Sequence, residues 1–325
     1  MRRRDFIKLC ASTVALPLAA HAQQGEGVRR IGVLMGRSDP EEQLRLAAFE
    51  DGLQKLGWTE GHNIRIDTRF PTGIDQYQPL AKQLVAEHPE VIFAQSTPVT
   101  AALQRETRTI PIVFVAVSNP IGSGFVANLA RPGGNITGLL YYEASIAGKW
   151  LAILKEIAPR LTRAALVANP KTTPYDYFLQ GAKAAAPSLA IELLPSPVEN
   201  AADIESVIES VARVPNGGLV LPPDATTIVH RDLIIALTAR YRLPAVYALR
   251  DFVVAGGLMA YSSDIIEQNR RAASYIDQIL RGANPAELPV QEPTKFETFV
   301  NLRTAKALGL DVPPLMLVRA DEVIE

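Results

Sequence analysis

Hydrophobic positions along this 325-residue chain alternate between two spacings. Short apolar runs, of which RRIGVLMG at 29–36 is the first, are typical of buried β-strands. Further strands are predicted at 63–70, 90–95, 110–117 and 135–142. The stretch 41–57 has helical spacing and should end at Gly57, with one buried face formed by Leu44, Ala48, Leu53 and Leu56. Strands separated by helices form parallel βαβ units, so the pattern predicts an α/β fold.

A second series of strands begins near Lys149 and repeats the order of the first. The matching segments are 29–35 with 162–168, 90–100 with 217–227, 110–117 with 243–249, and 136–142 with 256–262. Few residues are identical between the matching segments, so the two halves share a fold pattern rather than a sequence. Two doubly wound, Rossmann-like lobes, each with a parallel sheet, explain it better than one very wide sheet.

The tail after the last matched strand is too short for a third domain. It contains an amphipathic helix with Ile265 and Ile276, a strand-like FETFVNL and a short helix. We therefore expect the chain to cross between the lobes several times and so to form a hinge. The predicted lobes are 27–141 plus 262–285, and 142–261 plus 286–325.

The N-terminus has the features of an export signal. MRRRDFIK is a basic head, an apolar stretch too short to span a bilayer follows, and Ala20-His21-Ala22 suits signal peptidase. Residues 1–22 are therefore predicted to be a signal peptide, cleaved after Ala22, which places the mature protein in the periplasm. RRDFIK resembles a twin-arginine signal, but Arg2 stands where Ser or Thr is usual, so both export routes stay open.

Composition excludes several classes of partner and site. Loss of the signal removes four basic side chains and one acidic one, which takes the net charge from −1 to −4. A mildly acidic chain without basic clusters is not suited to nucleic acid or an anionic membrane. The only cysteine, Cys10, leaves with the signal, so the mature chain has no disulfide or thiolate site. No later apolar run is long enough to predict a membrane span.

Motifs for catalysis are absent, so we predict a protein that is not an enzyme and needs no cofactor or metal. The chain has no GxSxG, HExxH or P-loop sequence. GSGFVA at 122–127 matches part of a dinucleotide fingerprint, but four residues separate it from the end of the preceding strand. His62, His88 and His230 are scattered along the chain.

Polar and aromatic residues follow the predicted strands, where open α/β sheets bind their ligands. Helix N-termini at this edge suit a carboxylate, acidic side chains suit an ammonium group, and tyrosines could flank a ring or an apolar body. The alternative for Thr97, Asn119 and Asp224 is that each only caps a helix. The candidate ligand-binding residues are Ser38, Ser96, Thr97, Ser118, Asn119, Tyr142, Asn169, Asp224, Tyr247, Tyr261 and Asp264.

Several long segments resemble one family. FVAVSNPIGSGFVANLARPGGNITG, FEDGLQKLGWTEGHNIRID, GGLMAYSSD and LPVQEPTKFETFVNLRTAKALGLDVPP are similar to segments of ABC transporter substrate-binding proteins related to the tryptophan/tyrosine-binding group. The resemblance covers nearly the whole chain. It implies a fold similar to type I periplasmic binding proteins, with ligand held between the lobes. Its ligand positions would be Ser96-Thr97-Pro98, Ser118-Asn119-Pro120, Asn169 and Asp224.

The resemblance implies a monomeric receptor that closes on its ligand and delivers it to an ABC permease and its ATPase subunits. YSSD replaces the usual glycine-containing turn of the group, so aromatic or aliphatic carboxylates are as compatible as aromatic amino acids. Two alternatives stay open: a ligand sensor that docks on a membrane receptor, and an exported α/β enzyme.

Overall fold

The structure, a computed structural model, describes residues 27–325, so the predicted signal peptide lies outside the described residues. Five parallel strands of the first half form one sheet in the order β2-β1-β3-β4-β5. They are β1 (Arg29–Leu34), β2 (Ile64–Arg69), β3 (Val91–Gln95), β4 (Ile112–Val117) and β5 (Ile136–Leu140). Most of their side chains are buried, as expected of a parallel sheet covered on both faces.

The second sheet repeats this order and extends it. Its strands are β6 (Arg163–Ala168), β7 (Glu192–Pro197), β8 (Gly217–Leu221), β9 (Ala245–Tyr247), β10 (Met259–Ser263), β11 (Phe296–Asn301) and β12 (Glu322–Ile324). The order is β12-β11-β10-β9-β8-β6-β7, and only the β10–β11 pair is antiparallel. The strands β7-β6-β8-β9-β10 thus repeat the arrangement of the first sheet, which confirms two similarly wound α/β lobes.

Helices cover both sheets. Those of the first half are α1 (Pro40–Lys55), α2 (Tyr77–Ala86) and α3 (Thr97–Glu106). The others are α4 (Ile146–Ile157), α5 (Tyr175–Ala185), α6 (Ala201–Ala212), α7 (Ala225–Val229), α8 (Arg231–Tyr241), α9 (Arg250–Val254), α10 (Ile265–Leu280), α11 (Leu302–Leu308) and α12 (Pro314–Arg319).

The lobes exchange one helix each. Helix α4 follows the last strand of the first sheet but packs on α5 and beside β8 and β9 of the second lobe. Helix α10 follows β10 of the second sheet but packs on α1 and beside β4 of the first lobe. A third crossing leads from the first sheet to β11. The chain therefore passes between the lobes three times, which is the arrangement of a hinge.

Two lobe boundaries differ from those we predicted. Strand β10 continues through Ser263, so residues 262–263 pair with β11 in the second sheet rather than belonging to the first lobe. The tail was expected to enter the second lobe at residue 286. Instead, Val290 N donates to Leu129 O, and Gln291 bonds to Gly138 and Leu140 beside β5. The edge of the first sheet has free backbone groups there, so the tail leaves the first lobe only after residue 291.

The prediction for the buried face of α1 is right at Ala48 and Leu53 and wrong at Leu44 and Leu56. Leu44 and Leu56 are 57% and 37% exposed. The helix begins at Pro40, capped by Asp39, and its buried apolar face consists of Leu46, Ala48, Phe49 and Leu53. The sequence pattern was misleading because Glu42 and Arg45 are buried as well. Apolar spacing cannot identify such positions.

Candidate functional site

A pocket lies between the lobes at the carboxyl ends of their strands. Its volume is about 620 Å³, including the part of its mouth that is open to solvent, which is in the range of small-molecule sites. The first lobe contributes residues that follow β1, β3 and β4. The second contributes residues that follow β6, β8 and β9. Parallel strands of both sheets thus bring separate loops to one cleft.

The first-lobe wall is built around the start of α3. Ser96 takes the N-cap position with φ of 96°, and its side chain makes no capping bond. Its amide donates to Val115 O at 2.9 Å, which fixes this turn against β4. Thr97 is the first helical residue, with Pro98 second. Thr97 therefore does not cap the helix as we had considered, because the preceding residue occupies that position.

Buried polar atoms of two side chains in this wall have no partner in the described chain. Neither the Nε2 nor the Oε1 atom of Gln95 has a hydrogen-bond partner in the described chain, and the same holds for Ser96 Oγ. Gln95 is 1% exposed and ends the otherwise apolar β3. A buried polar atom without a partner costs about 1–3 kcal/mol. The free groups beside a helix N-terminus are therefore suited to a polar ligand.

A buried network of charges lies on the α1 side of the pocket. Arg45 Nη1 donates to Glu42 Oε1, and Glu42 Oε2 accepts from Gly36 N at 3.2 Å. Burial alone would lower the pKa of Arg45, but the Glu42 carboxylate and further acidic neighbours raise it above its usual value. Arg45 therefore stays charged, and its guanidinium is already paired with Glu42.

Two ion pairs of this network, both formed by Asp251, join the lobes. Arg37 Nη2 lies 3.3 Å from Asp251 Oδ2, and Arg37 Nε donates to Asp39 at 2.5 Å. Arg45 Nη2 approaches the same Asp251 oxygen at 3.9 Å. Asp251 belongs to α9 of the second lobe, whereas both arginines belong to the first. The structure therefore shows the lobes in contact across the cleft.

The second-lobe wall combines one carboxylate with apolar groups. Asp224 is 2% exposed; it caps α7 by accepting from Thr227 N at 2.9 Å and also accepts from Thr172 Oγ1. Burial raises the pKa of Asp224, although these hydrogen bonds oppose the shift. Around it lie Pro223, Ala225, Ile228 and Leu249.

Two tyrosines complete the lining. Tyr77 donates its hydroxyl to Gly36 O at 3.0 Å, and burial raises the pKa of Tyr77 to about 12. Burial also raises the pKa of Tyr141, against the opposing effect of Arg45. Both phenols are therefore neutral at physiological pH and present aromatic surface to the cleft.

The structure brings four predicted site residues together in this pocket: Ser96, Thr97, Ser118 and Asp224. Two others lie nearby but are already bonded within the protein. Asn169 Nδ2 donates to Thr226 Oγ1 at 2.9 Å behind the second-lobe wall. Asn119 Oδ1 accepts from Gly122 N, and the residue lines a separate depression on the surface.

Five predicted residues lie outside the pocket. Ser38 is exposed, and the buried rings of Tyr142 and Tyr247 belong to the core of the second lobe. Tyr261 stacks on Phe296 with ring centroids 5.4 Å apart. Asp264 caps α10 and pairs with Lys295 at 2.9 Å. Ser38 is thus at the surface, and the other four side chains are engaged with groups of the protein outside the pocket.

Sequence reasoning missed several lining residues: Gln95, Glu42, Arg45, Tyr77 and Thr172. One signal was present, since Gln95 is the single polar residue of VIFAQ. The buried face of α1 would have indicated Glu42 and Arg45, whereas Tyr77 begins α2 and Thr172 lies in the loop after β6.

Comparison with known proteins identifies the family. A family model described as ABC transporter substrate binding protein matches residues 30–324. The chain belongs to this family. Its members bind small ligands, dock on ABC permeases and are typically extracytoplasmic.

Relatives of this substrate-binding protein share its fold. A tyrosine-binding protein of Clostridioides difficile strain R20291 is 23% identical over 299 residues, which are 90% of this chain and 86% of that protein. A conserved domain protein from Vibrio cholerae O1 biovar El Tor strain N16961 is 26% identical, with a TM-score of 0.84. The ABC domain in complex with L-Trp from Streptococcus pneumonia is 24% identical, also with 0.84. Each structural match covers 91% of this chain and 99% of the other. The fold is thus similar to that of type I periplasmic binding proteins.

Residues 27–325 contain neither a candidate membrane span nor a candidate metal site. Within that range, every helix is too short or too polar to cross a bilayer. The same residues contain no group of three or more His, Cys, Asp or Glu side chains placed to hold a metal ion.

Proposed function

We propose that this chain is the extracytoplasmic, periplasmic receptor of an ABC importer, and that it binds a small carboxylate-bearing molecule between its lobes. Amino acids, aromatic ones included, and organic acids are the candidate ligands. The observation that carries this proposal is the set of buried, unpartnered polar atoms of Gln95 and Ser96 at a helix N-terminus inside an interlobe pocket. The tyrosine-binding relative and the L-Trp complex support amino acids as the first ligands to test.

The ligand would bridge both walls. Its carboxylate would lie at Ser96 and Thr97, where helix N–H groups and hydroxyls favour negative charge. Its apolar body would lie against Ile228 and Leu249. Because it contacts both lobes, the ligand would bind the closed form better and shift the population toward it.

A thermal-shift screen tests ligand binding. The chain from Gln23 onward is heated with amino acids, aromatic acids and short aliphatic carboxylates. A true ligand at about 100 times its Kd should add about 2.7 kcal/mol to the free energy of unfolding. A full panel without any shift would contradict the proposal.

The Ser96→Ala variant tests the location of the site. It should raise Kd about tenfold, because a hydrogen bond to a charged group is lost. Its ligand-free melting temperature should hardly change, since Ser96 Oγ has no protein partner. Ser188→Ala is the matched control: that hydroxyl donates to Ala185 O on the surface, and its loss should leave Kd unchanged. An unchanged Kd in Ser96→Ala would place the ligand elsewhere.

Uptake of the labelled ligand by cells tests the transport role. Deletion of the gene should abolish high-affinity uptake, and the wild-type chain, but not Ser96→Ala at low ligand concentration, should restore it. Uptake that is unaffected by deletion would favour the sensor alternative.

A further inference from the structure

A second pocket lies on the other side of Arg45, Tyr141 and Leu249, which line both it and the pocket described above. Its volume is about 1010 Å³, including the part that is open to solvent. We propose that this second pocket binds a linear aliphatic amine that carries two or more positive charges. The proposal goes beyond the proposed function and does not depend on it, because the amine and the carboxylate ligand would occupy different pockets.

Both lobes line the second pocket. Helix α1 of the first lobe contributes Glu41 and Leu44 beside Arg45, and two of the crossings contribute Tyr141 and residues 264–266. The second lobe contributes Leu249, Arg250, Asp251, Ser262, Ser263, Glu297, Phe299, Asp321 and Glu322.

The second pocket is strongly acidic. Its lining holds six carboxylates and two guanidinium groups, which gives a formal charge of −4. Two bases and two acids outside the lining pair with these groups and leave that charge unchanged; they are Arg37, Lys295, Asp39 and Glu42. A ligand with several positive charges would therefore be attracted to the pocket, and an anion would be repelled.

Two of the six carboxylates are free for a ligand. The other four are paired with bases of the protein, as Glu322 is with Arg250 at 2.8 Å. Within residues 27–325, Glu41 and Asp321 form no ion pair, and they belong to opposite lobes. An amine with two charges would contact one carboxylate on each lobe and so favour the arrangement of the lobes seen here.

A buried hydroxyl faces the same pocket. Ser262 is 6% exposed and lines the pocket, and its Oγ atom makes no hydrogen bond within the described part of the chain. It lies opposite Glu297 in the antiparallel β10–β11 pair. Opposite residues direct their side chains to the same face of a sheet, so Ser262 lies on the face that Glu297 presents to the pocket. Its hydroxyl can accept a hydrogen bond from an ammonium group.

Apolar groups between the charges favour an aliphatic chain over a metal ion. Leu44, which is 57% exposed, lines the pocket together with Ile266 and Phe299. No three His, Cys, Asp or Glu side chains of residues 27–325 are grouped so that they could hold a metal. The methylene groups of the amine would lie against the apolar side chains, while its ammonium groups donate to the carboxylates and to Ser262.

Titration calorimetry at constant ionic strength tests the proposal, because salt screens exposed charges. The probes are butane-1,4-diamine, spermidine, butylamine, butane-1,4-diol and Mg²⁺. The better of the first two should bind at least about tenfold more tightly than butylamine, which has one ammonium group fewer to pair. It should also bind at least about tenfold more tightly than Mg²⁺, which has no chain to bury, and the uncharged diol should not bind.

Glu41→Gln and Asp321→Asn test the location of the amine. Each should raise its Kd about tenfold, because one charge-assisted hydrogen bond is lost. The amide in Asp321→Asn can still accept from Thr298 N, as the carboxylate does at 2.8 Å, so the melting temperature without ligand should change little. Glu205→Gln removes the same charge at an exposed position of α6 and is the control, with Kd unchanged.

Three results would overturn the proposal. Diamine and spermidine that bind no more tightly than butylamine or Mg²⁺ would show only a general attraction of cations. An affinity that is unchanged in both Glu41→Gln and Asp321→Asn would exclude the second pocket. Amine binding that Ser96→Ala abolishes would place the amine in the first pocket. The thermal screen with carboxylates decides the proposed function separately from all three.

Discussion

The hydroxyl of Tyr142 both donates and accepts a hydrogen bond within the protein. It donates to Ala248 O at 2.7 Å and accepts from Ser263 N at 3.2 Å, inside the core of the second lobe. The ring also contacts Trp150 edge-on at 5.3 Å between centroids. Tyr142 thus links the first crossover to two strand ends, and its contribution is to stability.

Tyr142→Phe tests that assignment. The free energy of unfolding should fall by about 1–3 kcal/mol, because a buried carbonyl and a buried amide lose their partner. The Kd for ligand should stay within about twofold, since the side chain does not line the pocket. Chemical denaturation and calorimetry measure the two quantities. Tyr241→Phe, which loses one bond to Glu209 at the surface, is the control with a smaller loss of stability. A large rise in Kd for Tyr142→Phe would return this residue to the site.

For single residues, the sequence predicted which ones lie at the pocket edge of the sheets better than it predicted which way their side chains point. Ser96, Thr97, Ser118 and Asp224 could be found because residues after parallel strands meet at one edge of a sheet. Tyr247 and Asn169 follow strands as well, yet the first is buried in the core and the second bonds to Thr226. Which way a side chain turns depends on neighbours that are distant in sequence, so spacing could not decide it.

The exchanged helices depend on close packing at glycine. A Cβ atom added to Gly52 of α1 would lie 2.5 Å from Arg270 O of α10. In the other lobe, a Cβ atom on Gly181 of α5 would overlap the Ala144 carbonyl just before α4. In each lobe, the helix that comes from the other lobe thus packs closely at a glycine. A side chain at that glycine would have no room.

Gly52→Ala should therefore lower the free energy of unfolding by about 1–3 kcal/mol, because the obstructing atom is backbone and cannot rotate away. Gly134→Ala is the control: a Cβ atom there meets nothing within 4 Å, so stability should hardly change. Denaturant unfolding followed by circular dichroism compares the two. Equal stabilities would mean that the α1–α10 contact relaxes freely.

Most of the strands could be predicted from the sequence. The five strands of the first series and four of the five in the second were expected from apolar runs and their repetition, and the structure shows the same order twice. The face of α1 was not, because buried Glu42 and Arg45 interrupt its apolar stripe. The antiparallel return of β11 beside β10 depends on pairing across sequence, which local patterns do not contain.

For the whole molecule, three crossings and the interlobe ion pairs of Asp251 define the arrangement. Arg37 and Asp251 lie 3.3 Å apart at the cleft, while the crossings after β5, after β10 and before β11 lie at its back. Helices α4 and α10 each pack in the lobe opposite to the strand that precedes them, and so they link the two lobes. Such a framework permits rotation about the hinge while each lobe keeps its own core.

The distance between the lobes, measured with and without ligand, tests the central claim most directly. Cys10 is the only cysteine of the sequence, so a chain produced from Gln23 onward has none. Spin labels can then be placed through Ile121→Cys and Val229→Cys, which are exposed positions on opposite lobes. Pulsed electron resonance then gives the distribution of label distances. Saturation with the best ligand from the thermal screen should shift a broad distribution to one shorter distance. A distribution that does not change while calorimetry shows full binding would contradict a ligand held between closing lobes.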